Sequence, residues 1–126
     1  MRIGIDLIQI ADIDRSIAHF GARFLARVFT PAELDECAES SSNRYATDRL
    51  AARFAAKEAV MKVLRPDDAA LPWQTIEIRR QPGGWCRIEL HREARLLADA
   101  AGIGAIEISL THHAGYAVAA AVAAPL

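Results

Sequence analysis

The sequence is poor in cysteine, in aromatic side chains and in any excess of one charge. Its two cysteines, Cys37 and Cys86, lie far apart and fit no Cys-x-x-Cys or Cys-x-x-His spacing, so the usual zinc-ligand pattern is missing. Isolated thiols of this kind read as small apolar residues in a reducing compartment. Fifteen Lys and Arg stand against sixteen Asp and Glu, for a net charge of −1. That balance argues against a wholesale nucleic-acid binder, although a local basic patch stays open. No apolar run reaches the length of about 18 residues that spans a bilayer, and no basic stretch precedes a signal-like apolar segment. The nearest candidate, residues 116–126, is short and alanine-rich. The expectation is a soluble, cytoplasmic chain with no membrane and no nucleic-acid partner.

What remains is a chain built to fold. Its 126 residues, 52% of them hydrophobic and 25% charged, suit one domain spanning residues 1–126 with a single core. Only 6% are aromatic while alanine occurs 26 times. The core is therefore expected to be made of small and branched aliphatic side chains, which suits close packing and subunit contacts.

Period-2 alternation of Ile3, Ile5 and Leu7 with Gly4 and Asp6 predicts a first strand, with a bulge or two-sided burial where Ile8 and Ile10 break the parity. Ile13, Ile17, Phe20, Phe24 and Val28 then share one side of a helix over 12–28. Thr30-Pro31-Ala32-Glu33 is a capping box with proline at the first helical position, and its helix is expected to end near 40–43. The longest helix is predicted over 44–64, buried along Leu50, Phe54, Met61 and Leu64 and stopped by Pro66. Strands are predicted over 73–80 and 85–91 around Gln81-Pro82-Gly83-Gly84, then a helix over 93–101 closed by Gly102. A last hairpin pairs 106–112 with 116–124 around Ala114-Gly115. The order β-α-α-α-β-β-α-β-β predicts an α+β fold with helices on a mainly antiparallel sheet.

Four groups could carry chemistry. Glu58 borders the buried stripe of the long helix, where a carboxylate is partly desolvated and needs a cation; the plain alternative is a surface ion pair with Lys62 at i+4. Asp6 interrupts an apolar strand, either as a strand-end residue or as a partner of Glu58 in supplying oxygens to Mg²⁺. Ser109, Thr111 and His113 alternate with Leu110 and His112 into a turn, as ordinary turn residues or as donors to phosphate oxygens. Arg15, His19, Arg23 and Arg27 recur every four residues, as a solvated helix face or as a docking stripe for an acidic partner.

Taken together, Gly4-Ile5-Asp6-Leu7, Arg53-Phe54-Ala55-Ala56-Lys57-Glu58-Ala59 and Ser109-Leu110-Thr111-His112 resemble the holo-acyl-carrier-protein synthases, the small single-domain class of 4′-phosphopantetheinyl transferases. The resemblance runs through nearly the whole chain in the same order and spacing. It implies transfer of 4′-phosphopantetheine from coenzyme A to a serine of an apo acyl carrier protein, with release of adenosine 3′,5′-bisphosphate. It also implies Mg²⁺ dependence and a homotrimer with sites between subunits. On this resemblance Asp6 and Glu58 are metal ligands, Lys62 lies beside the pyrophosphate and joins Glu58 in catalysis, and Arg53 and His112 lie near the coenzyme A phosphates. Arg15, Arg23 and Arg27 then receive the carrier protein.

The chain departs from the family's pattern at three places. Arg65-Pro66-Asp67-Asp68 replaces a usual Gly-Thr-Gly, Gly83-Gly84-Trp85 replaces Gly-Lys-Pro, and Asp12 and Asp14 stand where the first helix often begins with basic residues. A retired homologue that binds coenzyme A or a carrier without transfer is the alternative these changes favour, and retention of Asp6, Glu58 and Lys62 argues against it. An unrelated trimeric structural domain would leave the position of Asp6 without a purpose.

Overall fold

A computed structural model describes residues 1–39, 44–67 and 70–126. The chain runs β1 (Arg2–Gln9), α1 (Ile10–Phe20), α2 (Ala22–Val28), α3 (Pro31–Cys37), α4 (Thr47–Leu64), β2 (Ile76–Arg80), β3 (Cys86–Leu90), α5 (Arg92–Ala100), β4 (Ile103–His113) and β5 (Tyr116–Pro125). Strands β1, β5 and β4 form one sheet in that order, β2 and β3 form a second, and every pairing is antiparallel. The architecture is α+β as expected, with one helix more than the periodicity predicts.

The extra helix comes from Gly21. Its backbone (φ 59°, ψ −135°) is open to glycine and closed to most other residues, and it separates α1 from α2 where a single helix over 12–28 is expected. Ile8 keeps the parity of Gly4 and Asp6, so β1 carries no bulge, and Ile10 starts α1. The 73–80 strand also shortens: Trp73–Thr75 is a turn of 3₁₀ helix and pairing begins at Ile76. The capping box forms as predicted, with Thr30 and Glu33 each satisfying the other's backbone N–H. Its helix ends at Cys37, and the predicted end near residues 40–43 lies outside the described residues. Helix α4 starts at Thr47 rather than at residue 44 and closes at Arg65, which takes the left-handed conformation (φ 52°) that a glycine usually supplies after a helix.

Helix α4 is the centre of the molecule. It packs against β1, β4 and β5 on one side and against α1, α3 and β2 on others. The expected narrow stripe is therefore wrong. Leu50, Ala51, Ala55, Ala56, Ala59, Val60, Val63 and Leu64 are all buried, while Phe54 and Met61 are only half-buried. Alanine on most faces lets neighbouring elements approach closely from several directions. The tightest approach is at Gly4: a Cβ there would lie 2.2 Å from the Ala59 carbonyl oxygen. Only glycine lets β1 cross α4 at this distance.

Candidate active site

The crossing of β1 over α4 decides what meets what. Asp6 shares the inward parity of Gly4, two residues further along β1. Glu58 and Lys62 sit one turn apart on α4, beside Ala59, where Gly4 makes its contact. Lys62 donates from Nζ to the Ile5 carbonyl at 2.7 Å and to Asp6 Oδ1 at 3.4 Å. Among the described residues it makes no ion pair with Glu58 within 4 Å, so the surface i,i+4 pair gives way to a contact across elements. Asp6 is the more enclosed member, with its side chain 15% exposed against 53% for Lys62. Its Oδ2 is buried and has no hydrogen-bond partner. Partial burial, and after it the charge of Asp6, pushes the Glu58 carboxyl above its ordinary range, with Lys62 opposing.

Two carboxylates with one lysine leave this cluster one negative charge in excess, and one carboxylate oxygen is buried without a partner. Both features fit a divalent cation. Asp6 and Glu58 would hold it, as two carboxylates commonly suffice for Mg²⁺ when substrate phosphates and water complete its shell. A different trio, Glu77, Glu89 and His91, also gathers three candidate ligand atoms within 4.8 Å of one another. There, however, the groups are engaged already: Glu77 accepts from the Thr30 hydroxyl and faces His91, and Glu89 pairs with Arg87.

The remaining predicted residues lie outside the Asp6, Glu58 and Lys62 cluster. Arg53 is 4% exposed and donates from Nη2 to Glu36 Oε1 at 3.0 Å, while its Nε is buried with no partner. His112 Nε2 lies 3.6 Å from Asp48 Oδ2 at the start of α4. In the sheet His112 pairs with Ala117, which pairs with Ile8, so it is two strands away from β1. Ser109 and Thr111 alternate with His112 along β4 and so lie on the opposite face of the sheet. Arg15, Arg23 and Arg27 are exposed on α1 and α2. Asp68 is outside the described residues.

Several charged groups that position the site escape a sequence reading. Lys57, beside Glu58, is fully buried and pairs with Glu33 Oε1 at 2.9 Å, and its ammonium also donates to the Trp73 and Ile76 carbonyls. Burial draws the Lys57 pKa down against the opposing charge of Glu33. Glu33 Oε2 in turn accepts from the Ile78 N–H at 2.8 Å. Glu36 binds Arg53, Arg79 and the Arg80 N–H. Burial would raise the Glu36 carboxyl, but the Arg80 N–H and the two guanidinium groups together hold it below the ordinary range. The two networks clamp the β2–β3 hairpin and α3 onto α4, so they set the rotation of the helix that carries Glu58.

The profile of the 4′-phosphopantetheinyl transferase superfamily matches residues 2–121. A curated holo-[acyl-carrier-protein] synthase of Moorella thermoacetica is 48% identical over 122 residues, covering 97% of this chain and 92% of the relative. One from Dehalococcoides mccartyi is 43% identical, covering 95% of each. Among solved structures, the Helicobacter pylori holo-[acyl-carrier-protein] synthase in complex with coenzyme A superposes with a TM-score of 0.82 at 31% identity, covering 98% of this chain and 100% of that one.

Proposed function

The chain belongs to the 4′-phosphopantetheinyl transferase superfamily, and from that premise we propose that it is a holo-acyl-carrier-protein synthase. It moves 4′-phosphopantetheine from coenzyme A to a serine of an apo acyl carrier protein. One observation carries the placement of the chemistry: the buried, unpartnered Asp6 Oδ2 beside Glu58 and Lys62. In the reaction a bond forms between the serine Oγ and the phosphorus bearing the pantetheine arm. The bond from that phosphorus to the bridging oxygen breaks, and adenosine 3′,5′-bisphosphate leaves with the electron pair. Glu58 is the base for the serine proton, directly or through a water molecule. Lys62, held to the Ile5 carbonyl, offsets charge building on the leaving phosphate. Asp6 and Glu58 would hold Mg²⁺, which when bound would draw charge from the pyrophosphate. His112 is exposed and free to meet the nucleotide phosphates, whereas Arg53, assigned the same role by resemblance, is buried against Glu36 and reaches them only if that pair opens; Arg15, Arg23 and Arg27 meet the carrier.

We read residues 1–126 as one transferase domain that works as a homotrimer. Supporting the assembly, β1 turns Ile3, Ile5 and Leu7 outward at 72%, 62% and 63% exposure, beside the outward Val118, Ala120 and Val122 of β5. A contiguous apolar sheet face of this kind calls for a covering surface. Among the described residues no helix is long and apolar enough to cross a membrane. The cytoplasm suits the free thiols of Cys37 and Cys86. Intact mass of an apo carrier protein incubated with the enzyme, coenzyme A and Mg²⁺ tests the reading. A gain of one phosphopantetheine is expected; coenzyme A binding with no gain across a panel of carriers would identify a retired binder instead.

A further inference from the structure

Two carboxylates placed directly opposite each other weaken a strand pair, because like charges across the ladder repel. In the β2–β3 hairpin Glu77 stands opposite Glu89 in register, and Glu77 is only 8% exposed. His91, the residue before α5, completes the group. Its Nε2 lies 3.1 Å from Glu77 Oε1 and 3.8 Å from Glu89 Oε2. Its backbone N–H donates to the Thr75 carbonyl at 2.8 Å, which fixes the base of the imidazole beside β2. The partners of the two carboxylates occupy their other oxygens. The Thr30 hydroxyl donates to Glu77 Oε2, and Arg87 meets Glu89 Oε1. Each carboxylate is thus held at one oxygen and presents the second to a space it shares with the imidazole, where three candidate ligand atoms lie within 4.8 Å of one another.

We propose that Glu77, Glu89 and His91 form a second metal site, for a divalent transition metal of the zinc type with water as the fourth ligand. Distance supports it: a tetrahedral ion with bonds of about 2.0–2.1 Å holds its ligand atoms about 3.3 Å apart. The two separations from His91 Nε2 fall on either side of that value. Ligand type selects the metal, since an imidazole beside two carboxylates suits zinc or cobalt, whereas magnesium and calcium take oxygen. Thr30 and Arg87 act as the outer partners that orient metal-bound carboxylates. Charge agrees as well. With Arg87 counted and His91 neutral, the two carboxylates leave one negative charge in excess, and a shared cation turns their repulsion into a common attraction. The ion would tie β2, β3 and the start of α5 together, whereas Asp6 and Glu58 stand on β1 and α4.

Cobalt reports on such a site directly, because Co²⁺ in a four-coordinate site with an imidazole ligand absorbs visible light. Full-length protein without a histidine tag is titrated with Co²⁺ in an excess of Mg²⁺, followed by absorption, and Zn²⁺ is then added to displace the cobalt. The wild type should take up one equivalent per chain, released by one equivalent of Zn²⁺. Glu77 is buried and bonded to Thr30, so the variants are made at the more open ligands, His91→Ala and Glu89→Gln. Each should weaken cobalt binding by at least about tenfold, the lower end of what loss of even an outer partner costs a metal site. Asp6→Asn, which alters the other cluster, should leave the cobalt spectrum and affinity unchanged. Zn²⁺ should raise the melting temperature of the wild type and leave that of His91→Ala where it is. No cobalt absorption in the folded wild type overturns the site. Cobalt binding of wild-type strength in folded His91→Ala overturns it too, as does loss of the absorption in folded Asp6→Asn, which would place the ion at the catalytic cluster.

Discussion

Lys57 and Glu58 are neighbours in sequence and opposites in environment. A step of about 100° around α4 puts the Lys57 ammonium in a fully buried cage of Glu33 and main-chain carbonyls, and Glu58 at a half-open edge beside Asp6. Removing one partner of a buried ion pair strands the other charge, which costs about 3–5 kcal/mol. Lys57→Met should therefore lower unfolding stability by that amount in urea. The double variant Lys57→Met, Glu33→Gln should recover part of it, because no uncompensated charge is left. Additive losses would mean that the pair is not coupled. The expected metal ligands Asp6 and Glu58 stand out in the sequence because each breaks a local pattern, a polar residue in an apolar strand and a carboxylate at the rim of a buried stripe. Lys57 breaks no pattern: as a polar residue beside Glu58 it reads as solvated. Its partner Glu33 already has a role in the capping box, and no local signal joins it to Lys57 across the intervening loop.

At the scale of elements, the site exists because β1 can lie directly on α4. A Cβ at residue 4 would meet backbone rather than a side chain that could swing aside, so Gly4→Ala must lift the strand from the helix. Overpacking of this kind typically costs about 1–3 kcal/mol. Because the same strand carries Asp6, transfer should fall by more than tenfold even where the variant remains folded, as small misplacements at a reacting centre weigh heavily on rate. Thermal melting together with kcat/KM checks both halves; unchanged activity in Gly4→Ala would detach the crossing from catalysis. Most elements were readable from their own residues: the hairpins from alternation around glycine turns, α3 from its cap, α5 from its closing Gly102. The split between α1 and α2 was not. A glycine inside a helix costs only about 1 kcal/mol, so the apolar period runs across Gly21 unbroken. The burial of α4 on nearly every side was also hidden, because alanine carries no strong hydrophobic period.

For the whole molecule, the outward side of β1 and β5 is the feature a lone chain leaves unexplained. Wild-type protein should scatter light as a particle of near three times 13.7 kDa, and Ile5→Lys, placing a charge at the middle of the apolar face, should give monomers with much reduced transfer. A fully active monomer would contradict a site that needs neighbouring copies. The central claim, that Asp6, Glu58 and Lys62 form the catalytic centre, is tested most directly by single-turnover transfer to an apo carrier by Glu58→Gln. The change keeps the shape of the side chain and removes its charge and its basicity. The expected result is a folded variant that still binds coenzyme A but transfers at least about a hundredfold more slowly than wild type, the scale of a lost general base. Transfer at the wild-type rate by the folded variant would contradict it.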